Sequence, residues 1–187
     1  DVVLESFGPG HLASLGLGWE TFRRANPALV LTSIAPFGQT GPHAGFRAPE
    51  IALQAMGGMI HHVGDPDRPP VRVGGDQAAL QAGGQAAVGT LRAWAESRRT
   101  GRGQWLDVSA QAAVIWTLLS ESALPALHGF APVRDGAYVR SAQSKRRVIF
   151  ECRDGFVALS MGGGVLGAAN MTALTALMAE HGMAPAF

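Results

Sequence analysis

Cysteine is almost absent: Cys152 stands alone among 187 residues. One thiol cannot form an internal disulfide. With no Cys-x-x-Cys and no His/Cys cluster, the sequence offers no structural zinc site. A reducing, cytoplasmic setting is the expectation, with no metal. A charge excess of either sign is missing as well. The formal net charge is +1, which gives no reason to expect nucleic acid or an anionic membrane as partner. No apolar run approaches the ~20 residues that span a bilayer. Nor does the start carry a basic segment followed by an apolar one, as a secretory leader would. The phosphate-loop spacing G-x-x-x-x-G-K-[ST] does not occur either.

Apolar residues make up 47% and charged residues 16%, enough material for a core in one domain or one domain plus part of another. The sequence begins with Asp1-Val2-Val3-Leu4, which reads as a strand already under way, and has no initiator methionine. An excerpt from a longer protein is the expectation.

The organising stretch runs from Pro69 to Thr100. Pro69-Pro70-Val71-Arg72-Val73 reads as a strand or extended segment, and Gly74-Gly75 as a turn. From Asp76 to about Arg99 no proline occurs and alanine is frequent, which predicts a long helix with Asp76 at its N-cap. Aspartate suits that place because its carboxylate accepts the free N–H groups of the first turn, and the helix dipole favours its charge. The functional alternative is an ionised carboxylate on a turn where two residues without side chains leave room for a substrate. Leu80, Gly84, Ala87, Val88, Leu91 and Ala95 fall on one face at helical spacing. Gly83, Gly84 and Gly89 weaken a helix, so close approach of another backbone is their expected use. Thr100-Gly101-Arg102-Gly103-Gln104 ends the helix.

Residues 2–4 fit a buried strand. Residues 18–26 read as a short amphipathic helix stopped by Asn26-Pro27, and residues 29–34 as the best strand in the sequence. Strand, helix, strand is the pattern of a parallel sheet. Phe37-Gly38-Gln39-Thr40-Gly41-Pro42 lies at that strand's carboxyl end, where open α/β sheets bind ligands; an ordinary connecting loop is the alternative. Residues 49–62 predict a helix, with Pro49 at its first position, Glu50 in the first turn and a core stripe of Ile51, Ala52, Ala55, Met56 and Met59. His61 and His62, adjacent on a helix, point about 100° apart and read as a solvated end rather than a metal site. A strand is expected at 105–109 and an apolar helix at 111–124, ending before Pro125. Lys145-Arg146-Arg147 reads as a solvated loop, with a basic patch near an anionic ligand as the alternative. Apolar runs at 148–152 and 156–160 flank Arg153-Asp154-Gly155, a hairpin signal. Gly162-Gly163-Gly164 opens a last helix; a phosphate cradle there is the less favoured reading.

Taken in order, these segments resemble the family III CoA-transferases, which include formyl-CoA and carnitine CoA-transferases and the related α-methylacyl-CoA racemases. The resemblance is carried by Asp1 to Gly10, Leu15-Gly16-Leu17, Asn26-Pro27, Phe37 to Pro42, Gln54-Ala55-Met56-Gly57-Gly58, Pro69-Pro70-Val71 leading to Gly75-Asp76, Arg99 to Gln104, and Asp107-Val108-Ser109. It is in register from residue 1 to about residue 112, returns in the hairpin Cys152 to Val157, and is thinner elsewhere.

The resemblance implies that Asp76 is a nucleophile. Its carboxylate would attack an acyl-CoA thioester to give a mixed anhydride and CoA thiolate, then an aspartyl-CoA thioester from which CoA passes to a carboxylic acid acceptor. Free N–H groups at the helix start would steady the carboxylate and the oxyanion, while Gly74 and Gly75 let the thioester carbonyl come close. The resemblance gives Glu50 a catalytic place facing the nucleophile, though a first-turn acid explains it equally. Arg47, with Ala48 beside it, matches a basic position near the CoA phosphates. Ser6 and Phe7 match a pair lying along the CoA, and Gln39 would face the same cleft. Coenzyme A and acyl-CoA enter as substrates, with no prosthetic group. Related racemases carry a histidine just before the position matching Glu50; here Pro49 stands there, which favours transfer over epimerisation. A racemase or isomerase, or a non-catalytic folding or interface unit, are the alternatives.

The fold expectation is α/β: a Rossmann-like parallel sheet with flanking helices, plus the beginning of a smaller α+β domain. Residues 1–125 would belong to the large domain, 126–146 to a linker and 147–187 to the start of the small domain. Family members are interlocked homodimers, so a homodimer is the expected partner state.

Overall fold

The computed structural model describes residues 1–119, 121–140, 144–160, 162 and 164–183. The chain divides into two compact units, Asp1–Gly136 and Ala137–Phe187.

The first unit is built on three parallel strands, β1 (Val2–Glu5), β2 (Val30–Ala35) and β3 (Trp105–Ser109), in the order β1-β2-β3. Val2 pairs with Val30, and Leu31 with Trp105. The central strand is buried on both faces, as a covered parallel strand should be. Side chains alternate along it: Thr32 bonds Thr90 on one side, and Ser33 accepts from Trp105 Nε1 on the other. β1, expected to be buried, is an edge strand with Val2 and Leu4 exposed.

Two short helices, α1 (His11–Ser14) and α2 (Trp19–Ala25), join β1 to β2. The connection from β2 to β3 carries α3 (Glu50–Met56), a 3₁₀ turn (Met59–His62) and α4 (Gln77–Thr100). The helix predicted over 49–62 is thus broken. Gly58 takes a left-handed φ of 86°, and Gly57 backs so closely onto Val114 that a Cβ there would lie 2.6 Å from Val114 Cβ. The core side of α3 is Leu53 and Gln54, while Ile51 and Met56 of the expected stripe are exposed. Pro49 is the extended N-cap rather than the first helical residue.

The long helix also turns the other way from expectation. α4 buries Ala78, Ala82, Ala86, Thr90, Ala93 and Ser97, while Leu80, Val88 and Leu91 are 66%, 71% and 64% exposed. Small side chains let the helix axis lie close to the sheet. At Gly89 a Cβ would come within 2.8 Å of Leu106 Cδ2, so this glycine admits a side chain of β3 and not the backbone expected, whereas Gly83 and Gly84 face open space. Phe37, Leu53, Val108, Ala113 and Val114 complete the core with the alanines of α4. After β3 come α5 (Ala110–Trp116) and α6 (Leu124–His128). The single helix expected to 124 stops at Trp116. Pro125 sits in the first turn of α6, where its missing N–H leaves no bond unmade.

In the second unit, β4 (Tyr138–Arg140) pairs antiparallel with β5 (Lys145–Arg147), and β6 (Ile149–Cys152) with β7 (Gly155–Ala158). Lys145 to Arg147 is therefore a strand and not a loop. Its backbone pairs with residues 138–140, and Lys145 Nζ lies 4.5 Å from the centre of the Tyr138 ring. The Arg153-Asp154 turn closes the second hairpin as expected. α7 (Gly164–Glu180) follows. Of the glycine run before it, Gly163 lies outside the described residues. Gly162, Gly164 and Gly167 do have the G-x-G-x-x-G spacing. They follow an antiparallel hairpin, however, and not the parallel strand on which the dinucleotide motif depends.

Candidate active site

The carboxyl ends of β1 and β2, the start of α3 and the first turns of α4 border an open cleft of about 250 Å³, lined by Ser6, Pro36, Glu50, Leu53, Ala79 and Gly83 among others. Ser6 arrives there because β1 ends at Glu5. Glu50 arrives because Pro49, extended at φ −70° and ψ 162°, starts α3 at the rim.

Glu50 does more than line the cleft. Its Oε1 accepts the N–H of Ala78 at 2.7 Å, and its Oε2 that of Ala79 at 3.4 Å. It therefore caps α4 from another helix and satisfies donors that a helix start leaves free. Asp76, expected to do this, occupies the N-cap position but makes no side-chain cap bond. Its carboxylate is exposed and pairs instead with Arg72, whose Nη2 lies 3.2 Å from Oδ1. Partial burial works to raise the Glu50 pKa, but the N–H groups of Ala78 and Ala79, the Gln54 amide and the nearby Arg72 cation outweigh it. The net shift is downward, so Glu50 is an ionised carboxylate near neutral pH.

The turn before α4 is stitched from several sides. Gly75 has a left-handed φ of 76°. Gln77 Nε2 donates to the Gly74 carbonyl at 2.8 Å, and Arg72 Nη2 to the Gly75 carbonyl at 3.0 Å. A Cβ at Gly74 would meet nothing within 4 Å, so the approach to Asp76 from that side is open. The segment 71–73 is extended without being a strand. Its partner is the side chain of Gln54, which accepts the Val73 N–H at 3.0 Å and donates to the Val73 carbonyl at 3.3 Å. Gln54 Nε2 also donates to Glu50 Oε1 at 2.9 Å.

The other residues singled out by resemblance are spread more widely. Phe7 is half exposed and tilts against His11, 4.8 Å between ring centres. Arg47 is exposed, and Ala48 packs against the core. Gln39 lines a different, smaller cavity of about 60 Å³ with His11, Trp19, Ser33 and Trp105. Its backbone N–H donates to both carboxylate oxygens of Asp107 at 2.9 Å, while its Nε2 is buried with no partner among the described residues. Arg72 and Gln54 had no site role in the sequence reading. The available signals were spacings of four, Arg72 to Asp76 and Glu50 to Gln54. Among the described residues no group of three His, Cys, Asp or Glu side chains could hold a metal ion, and no helix is long and apolar enough to cross a membrane.

The Asp76 carboxylate stands exposed on a two-glycine turn at the start of α4, the helix whose Ala79 and Gly83 line the cleft at the strands' carboxyl ends. The family model described as CoA-transferase family III matches residues 1–184. The chain belongs to CoA-transferase family III. It is similar to a succinyl-CoA:(R)-benzylsuccinate CoA-transferase subunit of Thauera aromatica, 35% identical over 159 residues, 85% of this chain and 38% of that protein. It is also similar to a formyl-CoA:oxalate CoA-transferase of Streptomyces avermitilis, 40% identical over 115 residues, 62% of this chain and 28% of that protein. A CAIB/BAIF family protein from Brucella suis shares its fold at a TM-score of 0.76 and 27% identity, over all of this chain and 55% of that one. The chain spans less than half the length of these two curated relatives.

Proposed function

We propose that the protein to which this chain belongs is a CoA-transferase, moving CoA from an acyl-CoA thioester to a carboxylic acid through an aspartyl-CoA thioester on Asp76. One observation carries this reading: Glu50 takes the Ala78 and Ala79 N–H groups of α4, and the Asp76 carboxylate makes no cap bond and is exposed on its glycine turn. An oxygen of Asp76 attacks the thioester carbonyl, and the C–S bond breaks with its electron pair leaving on CoA. The thiolate then attacks the Asp76 carbonyl of the anhydride and releases the donor acid. The acceptor carboxylate attacks the aspartyl thioester, and the thiolate recovers the acyl group from the new anhydride, regenerating Asp76.

Glu50 serves this chemistry by fixing the helix start. Ser6 and Phe7 would lie along the CoA and Arg47 and Ala48 near its phosphates, with Gly74 and Gly75 leaving room for the carbonyl. Acyl-CoA and a carboxylic acid are the substrates, and no prosthetic group is called for. A homodimer in the cytoplasm, interlocked as in related enzymes, is the proposed state.

The test is hydroxylamine trapping on the full-length protein incubated with formyl-, acetyl- or succinyl-CoA, followed by peptide mass analysis. A hydroxamate at Asp76, absent in Asp76→Ala, is expected. The same protein given a 2-methylacyl-CoA in D₂O should show no α-exchange. Rapid deuterium uptake without an acceptor acid would favour a racemase instead.

A further inference from the structure

The Asp76 carboxylate stands at the start of α4 yet bonds none of that helix's N–H groups. A short side chain so placed turns about its own bonds unless something fixes it, and a nucleophile that samples several directions reacts more slowly. Among the described residues, Arg72 is the side chain that meets it. One nitrogen, Nη2, donates to Asp76 Oδ1 at 3.2 Å and to the Gly75 carbonyl at 3.0 Å, tying the carboxylate to the turn that carries it. Arg72 is itself anchored. Its neighbour Val73 exchanges both backbone bonds with the fully buried Gln54 amide, which also holds Glu50. A continuous series therefore runs from α3 through Gln54, Val73 and Arg72 to Asp76. An exposed ion pair four residues apart contributes little to folding, so stability alone is a weak account of this arrangement.

We infer that Arg72 is a positioning residue that holds the Asp76 carboxylate in the direction of attack; this rests on the proposed role of Asp76. When acylation removes the charge from Asp76, the bond from Arg72 to the Gly75 carbonyl remains and keeps the turn in place for the return of the thiolate.

The experiment is single-turnover trapping of the Asp76 adduct in the full-length protein, with formyl-, acetyl- and succinyl-CoA as probes. Arg72→Ala should slow adduct formation roughly tenfold to a hundredfold, with the KM for acyl-CoA near wild type. Added millimolar guanidinium should recover part of the loss, which a merely structural role would not allow. If Arg72→Ala does not fold, Arg72→Lys against Arg72→Gln carries the test, and lysine must be the faster. An adduct formed at the wild-type rate in Arg72→Ala or Arg72→Gln overturns this inference alone. No adduct at Asp76 in the wild type overturns the nucleophile as well.

Discussion

The carboxylate of Glu50 caps the helix that begins beside Asp76, accepting the Ala78 N–H at 2.7 Å across 28 residues of sequence. One acid therefore serves the helix and leaves the other uncapped. The two roles predict opposite profiles of stability and activity on mutation.

Removing Glu50 should cost stability. Glu50→Ala is expected to lower the unfolding free energy by about 1–2 kcal/mol, as loss of a cap that also held a buried amide. Glu50→Gln, which keeps an acceptor, should cost less. The folded pKa lies below the ordinary 4.5, so the unfolded chain binds more protons between the two values. The ionic contribution is therefore complete above pH 4.5 and is lost as pH falls through the folded pKa. Urea titrations should show the gap between wild type and Glu50→Gln closing in that range; a gap that stays constant would contradict the cap.

Asp76→Ala should behave in the reverse manner. It loses only an exposed ion pair, so unfolding should change by no more than about 1 kcal/mol. The trapped adduct should vanish entirely. A large drop in melting temperature would show that Asp76 caps α4 after all.

Two glycines should respond with opposite signs to the same substitution. Gly57→Ala pushes a methyl into Val114 and should destabilise by about 1–3 kcal/mol. Gly84→Ala adds its methyl to open space within α4 and should stabilise this chain by about 0.5–1 kcal/mol. Thermal melts of both proteins check this, and equal shifts would refute it.

The buried pair Thr32 and Thr90 is joined by one hydroxyl bond of 2.7 Å. Thr90→Val should cost about 1–3 kcal/mol by stranding the Thr32 hydroxyl, which is fully buried. Thr32→Val with Thr90→Val should restore much of that loss. A double-mutant cycle measures the coupling, and simple additivity would count against the bond.

The sequence by itself determined the order of the main elements. An apolar, β-branched run ending at Pro36, an alanine-rich stretch after a glycine turn and an Asp-Gly turn are local signals, and the sheet, α4 and the second hairpin follow from them. So does the Gly-Gly-Asp turn, whose glycines fix where a carboxylate stands open. Tertiary structure decided which side of each element is buried. α4 has alanines on one side and larger apolar residues on the other, and helical spacing alone favours the larger ones. The sheet selects the alanines because they permit a closer approach, with Gly89 against Leu106. It also decided who caps α4. Glu50 outcompetes Asp76 because α3 packs beside the helix start, and Gln54 joins segments 19 residues apart to hold Arg72 in reach of Asp76. Hydrogen bonds of that range depend on where the chain returns to itself, and no local pattern around Asp76 contains that information.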